Sequence, residues 1–510
     1  MGKSIEPSTH ASVLITTEYG PVEGEARQGH IAALGIPYAS PPIGALRFRA
    51  PAPPEPWSEP RAAKAFAVSA PQNPSPFPGM DVADHSEDCL YLNVYSPAAD
   101  DAKRPVLFWI HGGGFMAGSG AQALYEGAAI CTRNDVVLVT INYRLGLFGY
   151  LCADDADANA GQLDQIAALR WVASNIAAFG GDPDNVTLFG ESAGGMATTT
   201  LLAMPAAKGL FHRAISQSGA ADHTLSIPRG RKIAQKIFEA AGVATTEELR
   251  RLSTDALLKA QSAIEQGKPT TMEEEPGAGP TGSLSFAPVL DPANLPVAPI
   301  EAITAGSAAG IPLIVGSNLD EQKIFTMGRN DDVDDAKLRR QVARFAGDRS
   351  DEIIEVYALA RAARGDSTEP GEIRDAILSD QTFRIPAIRL AQAQAKNEAR
   401  TYSYLVRWSS PARRGTLGAC HAIDLPFVFG TLDAPTMDKF AGTGPEADRL
   451  ADAMMDAWAA FARTGDPNVA GAIEWPQYDE TDRHTMAFDA TLAIESAPLD
   501  SERAVWNGAF

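Results

Sequence analysis

Cysteine is scarce in this sequence, which has four in 510 residues: Cys89, Cys131, Cys152 and Cys420. Their spacing matches no metal-binding motif and no evident disulfide framework. Long apolar runs are also missing, since no stretch approaches the ~20 residues that cross a bilayer. The first residues do not place an apolar segment behind a charged start, so they do not read as a secretory signal. These absences predict a cytoplasmic protein without a metal site or a membrane partner.

Basic residues are few relative to acidic ones. Lys and Arg total 43 against 64 Asp and Glu, which gives a net charge of −21 and an isoelectric point near 4.8. This balance disfavours nucleic acids and anionic membrane surfaces as partners. We interpret the acidic runs 273–275 and 331–335 as solvated loops rather than metal sites. With 45% apolar and 21% charged residues, the composition is typical of a large globular protein.

Ser192 lies in the pentapeptide 190–194 (GESAG), between two different structural patterns. The apolar run 186–189 predicts a buried strand before it, and the small-residue run 193–202 predicts a helix after it. Glycines two places away on either side indicate a turn too tight for side chains. Such a turn exposes the serine oxygen and points a helix N-terminus at it. Ser192 is therefore the candidate nucleophile.

A second glycine cluster, 111–114 (HGGG), follows the apolar run 106–110. Glycines directly after a strand allow backbone N–H groups to approach a ligand closely. An acyl-transfer enzyme needs such donors where the oxyanion forms, and one more usually comes from the residue after the nucleophile, here Ala193. The cluster therefore predicts an oxyanion hole.

A serine nucleophile needs a base, and in this layout the base is a histidine that follows both the serine and an acid along the chain. Four of the eight histidines precede Ser192. His212 and His223 follow the serine too closely, and His484 lies in a charged stretch typical of a solvated loop. His421 remains as the candidate base.

The acid is expected at the C-terminal end of a parallel strand, where catalytic groups gather. The run 311–316 predicts such a strand, and Asp320 and Glu321 both follow it. The residue pattern alone leaves both carboxylates open.

Strand and helix patterns alternate along much of the chain. Predicted strands at 105–110, 136–142 and 186–189 and a predicted helix at 164–179 indicate a mainly parallel sheet with helices on both faces; 11–27 and 89–97 suggest an antiparallel start. Length alone favours about three domains. Residues 192, 321 and 421 must nevertheless meet in one site, so we predict a single α/β domain over 1–510. Helical patterns within 229–300 and 330–400 predict cap insertions.

Further motifs give the chain a clear resemblance to the type-B carboxylesterase family, which includes bacterial para-nitrobenzyl-type esterases and animal carboxylesterases and cholinesterases. The resemblance covers nearly the whole sequence and implies an α/β-hydrolase fold. The motifs that carry it, in chain order, are 35–39 (GIPYA), 86–95 (SEDCLYLNVY), 142–146 (NYRLG), 159–165 (NAGQLDQ), 179–183 (FGGDP) and 461–468 (FARTGDPN).

The resemblance also implies roles for individual residues. It favours Glu321 over Asp320 as the acid and assigns the base to His421. By the same resemblance, the backbone N–H groups of the oxyanion hole would come from Gly113, Gly114 and Ala193. The side chains that hydrogen-bond near the triad would be those of Glu191 and Ser218.

Three positions depart from the family pattern. The family often pairs the cysteine at position 89 with one in an upstream Cys-Pro-Gln-like segment, which here reads Ala70-Pro71-Gln72. Cys89 therefore lacks its partner, in keeping with a reducing, cytoplasmic compartment. Gln322 and Ala422 stand where glycine is common in the family, and neither change removes a catalytic group.

The implied activity is hydrolysis of a small-molecule carboxylic ester through an acyl-enzyme, without a cofactor, by a monomer or weak homo-oligomer. Activity is expected to rise with pH through an apparent pKa near neutrality, because the base is a histidine. A carbamate or amide hydrolase on the same triad is the alternative, and a non-catalytic scaffold is disfavoured by the intact motifs. The candidate substrate-pocket residues are Phe115, Met116, Phe325 and Phe383.

Overall fold

The structure is a computed structural model that describes residues 11–75, 82–265, 284–327 and 332–508. The first ten residues, the acidic run 273–275 and Asp331 lie outside the described residues.

The described residues form one large β-sheet with helices around it. Its thirteen strands stand in the order β1-β2-β3-β5-β7-β6-β8-β9-β10-β11-β12-β13, with β4 paired to β2. The strands are β1 Ala11–Thr17, β2 Gly20–Arg27, β3 His30–Pro37, β4 Arg61–Ala62, β5 Tyr91–Ser96, β6 Arg104–Ile110, β7 Val137–Ile141, β8 Gly181–Glu191, β9 Arg213–Gln217, β10 Leu313–Asn318, β11 Thr401–Val406, β12 Thr485–Phe488 and β13 Ala493–Glu495.

The middle of this sheet, from β7 to β12, is parallel, while β1, β2, β3 and β5 pair in antiparallel fashion. The predicted mainly parallel sheet with an antiparallel start is thus confirmed. The strand β8 is longer than the predicted 186–189 and ends at Glu191, directly before Ser192.

Both faces of the central strands are buried, and β6 illustrates why. All its residues are buried, and successive side chains point to opposite faces because a strand has a period of two. Val106, Phe108 and Ile110 join one apolar core, while Leu107 and Trp109 join the other. Such an apolar run without polar alternation is typical of a strand covered by helices on both sides.

The helices are α1 Ala128–Asn134, α2 Gly146–Tyr150, α3 Ala160–Asn175, α4 Ala193–Ala203, α5 Ile227–Ala241, α6 Thr246–Arg250, α7 Thr254–Glu265, α8 Pro299–Thr304, α9 Lys323–Thr326, α10 Asp335–Ala346, α11 Ser350–Arg364, α12 Pro370–Ser379, α13 Ile385–Ala395, α14 Leu425–Phe429, α15 Pro445–Thr464 and α16 Asp500–Ala504. The predicted helix 164–179 begins earlier, at Ala160, and its last turn, Ile176–Phe179, is a 3₁₀ helix. Across the described ranges, no helix combines the length and apolarity needed to span a membrane.

Two helical insertions interrupt the sheet. Helices α5–α8 lie between β9 and β10, and α9–α13 lie between β10 and β11. The second insertion has an apolar core of its own, built by residues such as Leu338, Ile353 and Ile377, to which Trp506 near the C-terminus contributes. A π-helical turn, Asp380–Arg384, joins α12 to α13.

Candidate active site

Ser192 occupies a sharp turn between β8 and α4, with φ 56° and ψ −125°. The flanking glycines are required by close contacts. A Cβ atom on Gly194 would lie 2.0 Å from the carbonyl oxygen of Ile110, and one on Gly190 would lie 2.4 Å from the backbone of Gly194. The strand-turn-helix arrangement predicted from the spacing of these residues is therefore confirmed.

The glycine cluster after β6 lies against this serine. A Cβ atom on Gly112 would be 3.1 Å from Cβ of Ser192. Gly113 and Gly114 have φ values of 103° and 63°, which favour glycine. Among the described residues, neither donates its backbone N–H to another group. The N–H of Ala193, at the first position of α4, also lies at a helix end where no intrahelical acceptor exists.

His421 and Glu321 form a short ion pair beside the serine turn. His421 Nδ1 lies 2.6 Å from Glu321 Oε2. The other carboxylate oxygen, Oε1, accepts hydrogen bonds from Ser218 Oγ at 2.6 Å and from the backbone N–H of Asn318 at 2.7 Å. Glu321 is completely buried. These bonds hold its carboxylate in one orientation toward the imidazole.

Asp320 faces away from the imidazole. Its Oδ2 accepts the backbone N–H of Ala419 at 3.0 Å, and its Oδ1 lies 3.2 Å from Nζ of Lys323. A Cβ atom on Gly418 would meet the Asp320 carboxylate at 2.4 Å, so the carboxylate is packed against this backbone. The two adjacent carboxylates thus have separate environments.

Glu191 lies closer to the imidazole than the sequence indicates. Its Oε1 is 3.0 Å from Nε2 of His421, and among the described residues Ser192 Oγ makes no hydrogen bond to that nitrogen. Burial lowers the pKa of His421, but the carboxylates of Glu191 and Glu321 outweigh it and raise this pKa to about 9. Burial has the opposite effect on the carboxyl group of Glu191, whose pKa it raises above its ordinary value. The imidazole is therefore held between two carboxylates.

Two of the four candidate pocket residues contact the histidine. The rings of Phe383 and Phe325 have centroids 4.7 Å and 5.1 Å from that of His421. Phe115 is fully buried and packs edge to face on Tyr150, 5.1 Å between centroids. The side chain of Met116 lies beside Gly114.

Sequence reasoning missed a buried polar network behind the histidine. Asp424 Oδ2 accepts a hydrogen bond from Gln217 Nε2 at 2.7 Å, and Trp458 Nε1 donates to Gln217 Oε1 at 3.1 Å. Burial raises the pKa of Asp424. The one feature of the sequence that could have pointed to Asp424 is its position three residues after His421, in the same segment of the chain.

One group of side chains in the described ranges has donor atoms close enough for a metal ion: Asp479, Asp482 and His484, whose ligand atoms lie within 4.8 Å of one another. The group precedes β12, whereas Ser192, Glu321 and His421 follow the C-terminal ends of parallel strands. It therefore lies at the opposite edge of the sheet from the candidate site.

The sheet order, the two-sided helical cover and the serine turn at the end of β8 define an α/β hydrolase. The model of the carboxylesterase family matches residues 11–506, and the chain belongs to this family. It is a carboxylic ester hydrolase.

Individual relatives agree with this assignment. The para-nitrobenzyl esterase of Bacillus subtilis is 37% identical and aligns over 96% of this chain and 97% of its own. Liver carboxylesterase B-1 of Rattus norvegicus is 35% identical over 96% of this chain and 91% of its own. The solved structure of a Geobacillus stearothermophilus carboxylesterase superposes with a TM-score of 0.85 at 39% identity, covering 97% of this chain and 99% of its own.

Proposed function

We propose that the chain hydrolyses small-molecule carboxylic esters through an acyl-enzyme on Ser192, with His421 as the base and Glu321 as the orienting acid. The observation that carries the proposal is the 2.6 Å contact between His421 Nδ1 and Glu321 Oε2, beside a serine in a strained strand-to-helix turn. The ion pair fixes the tautomer that leaves Nε2 free to accept a proton.

In the first half-reaction, Ser192 Oγ attacks the ester carbonyl while His421 Nε2 takes the hydroxyl proton. The tetrahedral oxyanion accepts hydrogen bonds from the N–H groups of Gly113, Gly114 and Ala193. His421 then donates its proton to the departing alcohol. A water molecule repeats the sequence on the acyl-enzyme and releases the carboxylic acid.

Among the described residues Ser192 Oγ makes no hydrogen bond to His421, which is compatible with that cycle. Catalytic hydrogen bonds are often absent or long in unliganded enzymes and tighten when substrate binds. In the resting arrangement Oε1 of Glu191 lies 3.0 Å from Nε2, and among the described residues this oxygen has no hydrogen-bond partner. A neutral imidazole, released from this carboxylate, is the form that accepts the serine proton.

We further propose a single domain over residues 1–510, in which insertions 229–300 and 330–400 form a cap over the site. Two contacts support the cap. Phe383 of the second insertion lies on the imidazole of His421, and Leu284 of the first lies beside Gly114, 3.8 Å from where a Cβ atom would be. Phe325, Phe383 and Met116 would then form walls of the substrate pocket.

Labelling with a fluorophosphonate followed by peptide mass spectrometry tests the nucleophile. We expect phosphonylation of Ser192 with loss of esterase activity, and neither labelling nor activity in Ser192→Ala. Ser96→Ala is the control, since Ser96 is a buried serine bonded to the carbonyl of Phe179 at 2.7 Å, away from the turn. Labelling of Ser192→Ala, or unchanged activity in it, would overturn the assignment.

A further inference from the structure

Gln72 makes a paired contact with the backbone of the loop that carries the glycine cluster. Its Oε1 accepts the N–H of Gly118 at 2.8 Å, and its Nε2 donates to the carbonyl of Gly118 at 2.9 Å. The second Nε2 proton is donated to the carbonyl of Ala70 at 3.0 Å. The buried amide therefore uses both donors, and only one orientation of the amide satisfies all three contacts.

The loop needs such an anchor because of its composition. Gly113, Gly114 and Gly118 all have positive φ, at 103°, 63° and 107°. Glycine has no intrinsic preference for one of its many allowed conformations, so a glycine-rich loop loses more entropy on ordering than other loops. Contacts from outside the loop must select the conformation that points its N–H groups toward the serine.

The two ends of the loop are held by other residues. Tyr143 donates its hydroxyl to the carbonyl of His111 at 2.9 Å, next to the end of β6. At the far end, Asn142 Oδ1 accepts the N–H of Gly120 at 2.9 Å. Gln72 contacts the loop between these points, at Gly118. A Cβ atom on Gly118 would lie 2.6 Å from Nδ1 of His111, so the loop closes back on its own start there.

Gln72 belongs to a strap, residues 68–72, that lies along the loop. The strap is attached at its other end through Val68, whose carbonyl accepts a hydrogen bond from Asn142 Nδ2 at 3.1 Å. No disulfide reinforces it, because Ala70 stands in the strap and the thiol of Cys89 is free. Among the described residues, the two hydrogen bonds of Gln72 to Gly118 therefore connect the strap to the loop without a covalent link.

We propose that Gln72 is a positioning residue for ester hydrolysis: by clamping Gly118 through both backbone groups, it holds the loop so that the N–H groups of Gly113 and Gly114 meet the oxyanion. This inference rests on the proposed oxyanion hole and assigns it a support that lies 46 residues from Gly118 in the chain. The effect is exerted on the transition state, since the oxyanion forms only there.

Two substitutions test the clamp. Gln72→Met removes both hydrogen bonds to Gly118 at similar volume, and Gln72→Glu keeps the shape but places an acceptor against the Gly118 carbonyl. Deleting one oxyanion donor outright costs about 10²–10³ in kcat. A displaced donor should cost less, so we expect kcat to fall by roughly tenfold to a hundredfold in both variants. KM should change by less than about threefold, because ground-state binding does not use the oxyanion.

Gln394→Met is the matched control. Gln394 is also a buried glutamine whose Nε2 donates to two carbonyls, Ala308 at 2.9 Å and Ile311 at 2.7 Å, but it lies near the N-terminal end of β10. Its replacement should lower the melting temperature and leave kcat per active site unchanged. Rates are expressed per site labelled by fluorophosphonate, so that unfolded protein does not enter the comparison.

Inhibition by a trifluoromethyl ketone, which forms an oxyanion adduct with a serine, supplies the second readout. Its Ki should rise in proportion to the loss of kcat/KM in the Gln72 variants and stay constant in Gln394→Met. Unchanged kcat and Ki in both Gln72 variants, or a loss confined to KM, would overturn the inference while Ser192 labelling still supported the proposed function. Absence of Ser192 labelling in the unaltered protein would instead overturn the proposed function.

Discussion

Adjacent carboxylates with different partners are the most informative feature at the scale of single residues. Asp320 and Glu321 lie in the turn that follows β10, which ends at Asn318. In this turn Glu321 faces the imidazole, while Asp320 faces the backbone at Ala419 and the ammonium group of Lys323. The structure thus separates two residues that their position along the sequence leaves equivalent.

This difference predicts opposite outcomes for two conservative substitutions. Glu321→Gln should lower kcat by roughly four orders of magnitude, which is the loss when the orienting Asp of a serine protease is replaced by Asn, because the amide no longer stabilises the imidazolium. Asp320→Asn should keep most of the activity and lower the melting temperature, because its bonds are structural. Steady-state kinetics and thermal unfolding of the two purified variants check both. Inactive, folded Asp320→Asn beside active Glu321→Gln would contradict the assignment.

The pH dependence of activity should depend on Glu191. In the proposed mechanism only neutral His421 accepts the serine proton, so kcat/KM should rise as pH increases through the pKa of this histidine. The two carboxylates raise that pKa to about 9, so the rise is expected above the neutral pH that histidine alone predicts. Because the titrations of His421 and Glu191 are coupled, the apparent pKa measured from this profile belongs to the pair.

Glu191→Gln isolates this contribution. Removing the negative charge 3.0 Å from Nε2 destabilises the imidazolium, so the apparent pKa should fall and the active range should extend to lower pH. Profiles of kcat/KM from pH 5 to 10 for both proteins are the measurement. Superimposable profiles would show that Glu191 does not control protonation of the base.

At the scale of elements, the π-helical turn Asp380–Arg384 places Phe383 against the histidine. Such turns insert one extra residue into a helix and occur often at functional sites. Here the guanidinium of Arg384 binds both oxygens of Asp380, at 2.6 Å and 2.5 Å, and Tyr357 also donates to this carboxylate. Trp506 completes the group by donating to Tyr357 at 2.8 Å.

Arg384→Met should therefore destabilise the protein strongly. It leaves a buried Asp380 carboxylate without its cation, and breaking a buried pair in this way costs about 3–5 kcal/mol. Arg251→Met is the control, because Arg251 pairs with Glu247 at a surface where the side chains are 73% and 53% exposed. Such pairs contribute about 0–1 kcal/mol. Urea unfolding of both variants tests the contrast, and equal losses of unfolding free energy would contradict it.

At the scale of the whole molecule, the large buried interior includes ionisable groups kept in their neutral form. His223 is buried, and among the described residues neither ring nitrogen has a hydrogen-bond partner. Burial lowers its pKa from 6.5 to about 4. Between pH 6.5 and about pH 4, His223 is therefore protonated in the unfolded chain and neutral in the native protein. Because the unfolded state binds the additional proton, the free energy of unfolding decreases as pH falls through this range.

His223→Phe should remove that pH dependence without breaking a hydrogen bond. The difference in unfolding free energy between the variant and the unaltered protein should shift by about 2 kcal/mol in favour of the variant between pH 7 and pH 5. Denaturant unfolding of both proteins at the two pH values gives this difference directly, and other titrating groups cancel. A difference that does not change with pH would contradict the prediction.

The local elements of the site could be predicted from the sequence alone. Ser192 could be predicted because a strand, two glycines and a helix follow one another within a few residues, and the contacts that require those glycines are local. The parallel sheet could also be predicted from local sequence. An uninterrupted apolar run, such as that of β6, indicates a strand that is buried on both faces. His421 could be found by the order of groups along the chain.

Which side chains come into contact with one another depends on the three-dimensional fold. Glu191 against His421, Asp424 on Gln217, and Gln72 on Gly118 join residues 230, 207 and 46 positions apart. No local pattern encodes such pairs, because they arise where separate strands end at the same edge of the sheet and a distant strap crosses the loop between them. The pKa of His421 depends on such contacts too, since it is set by the charged groups that folding brings close to the ring.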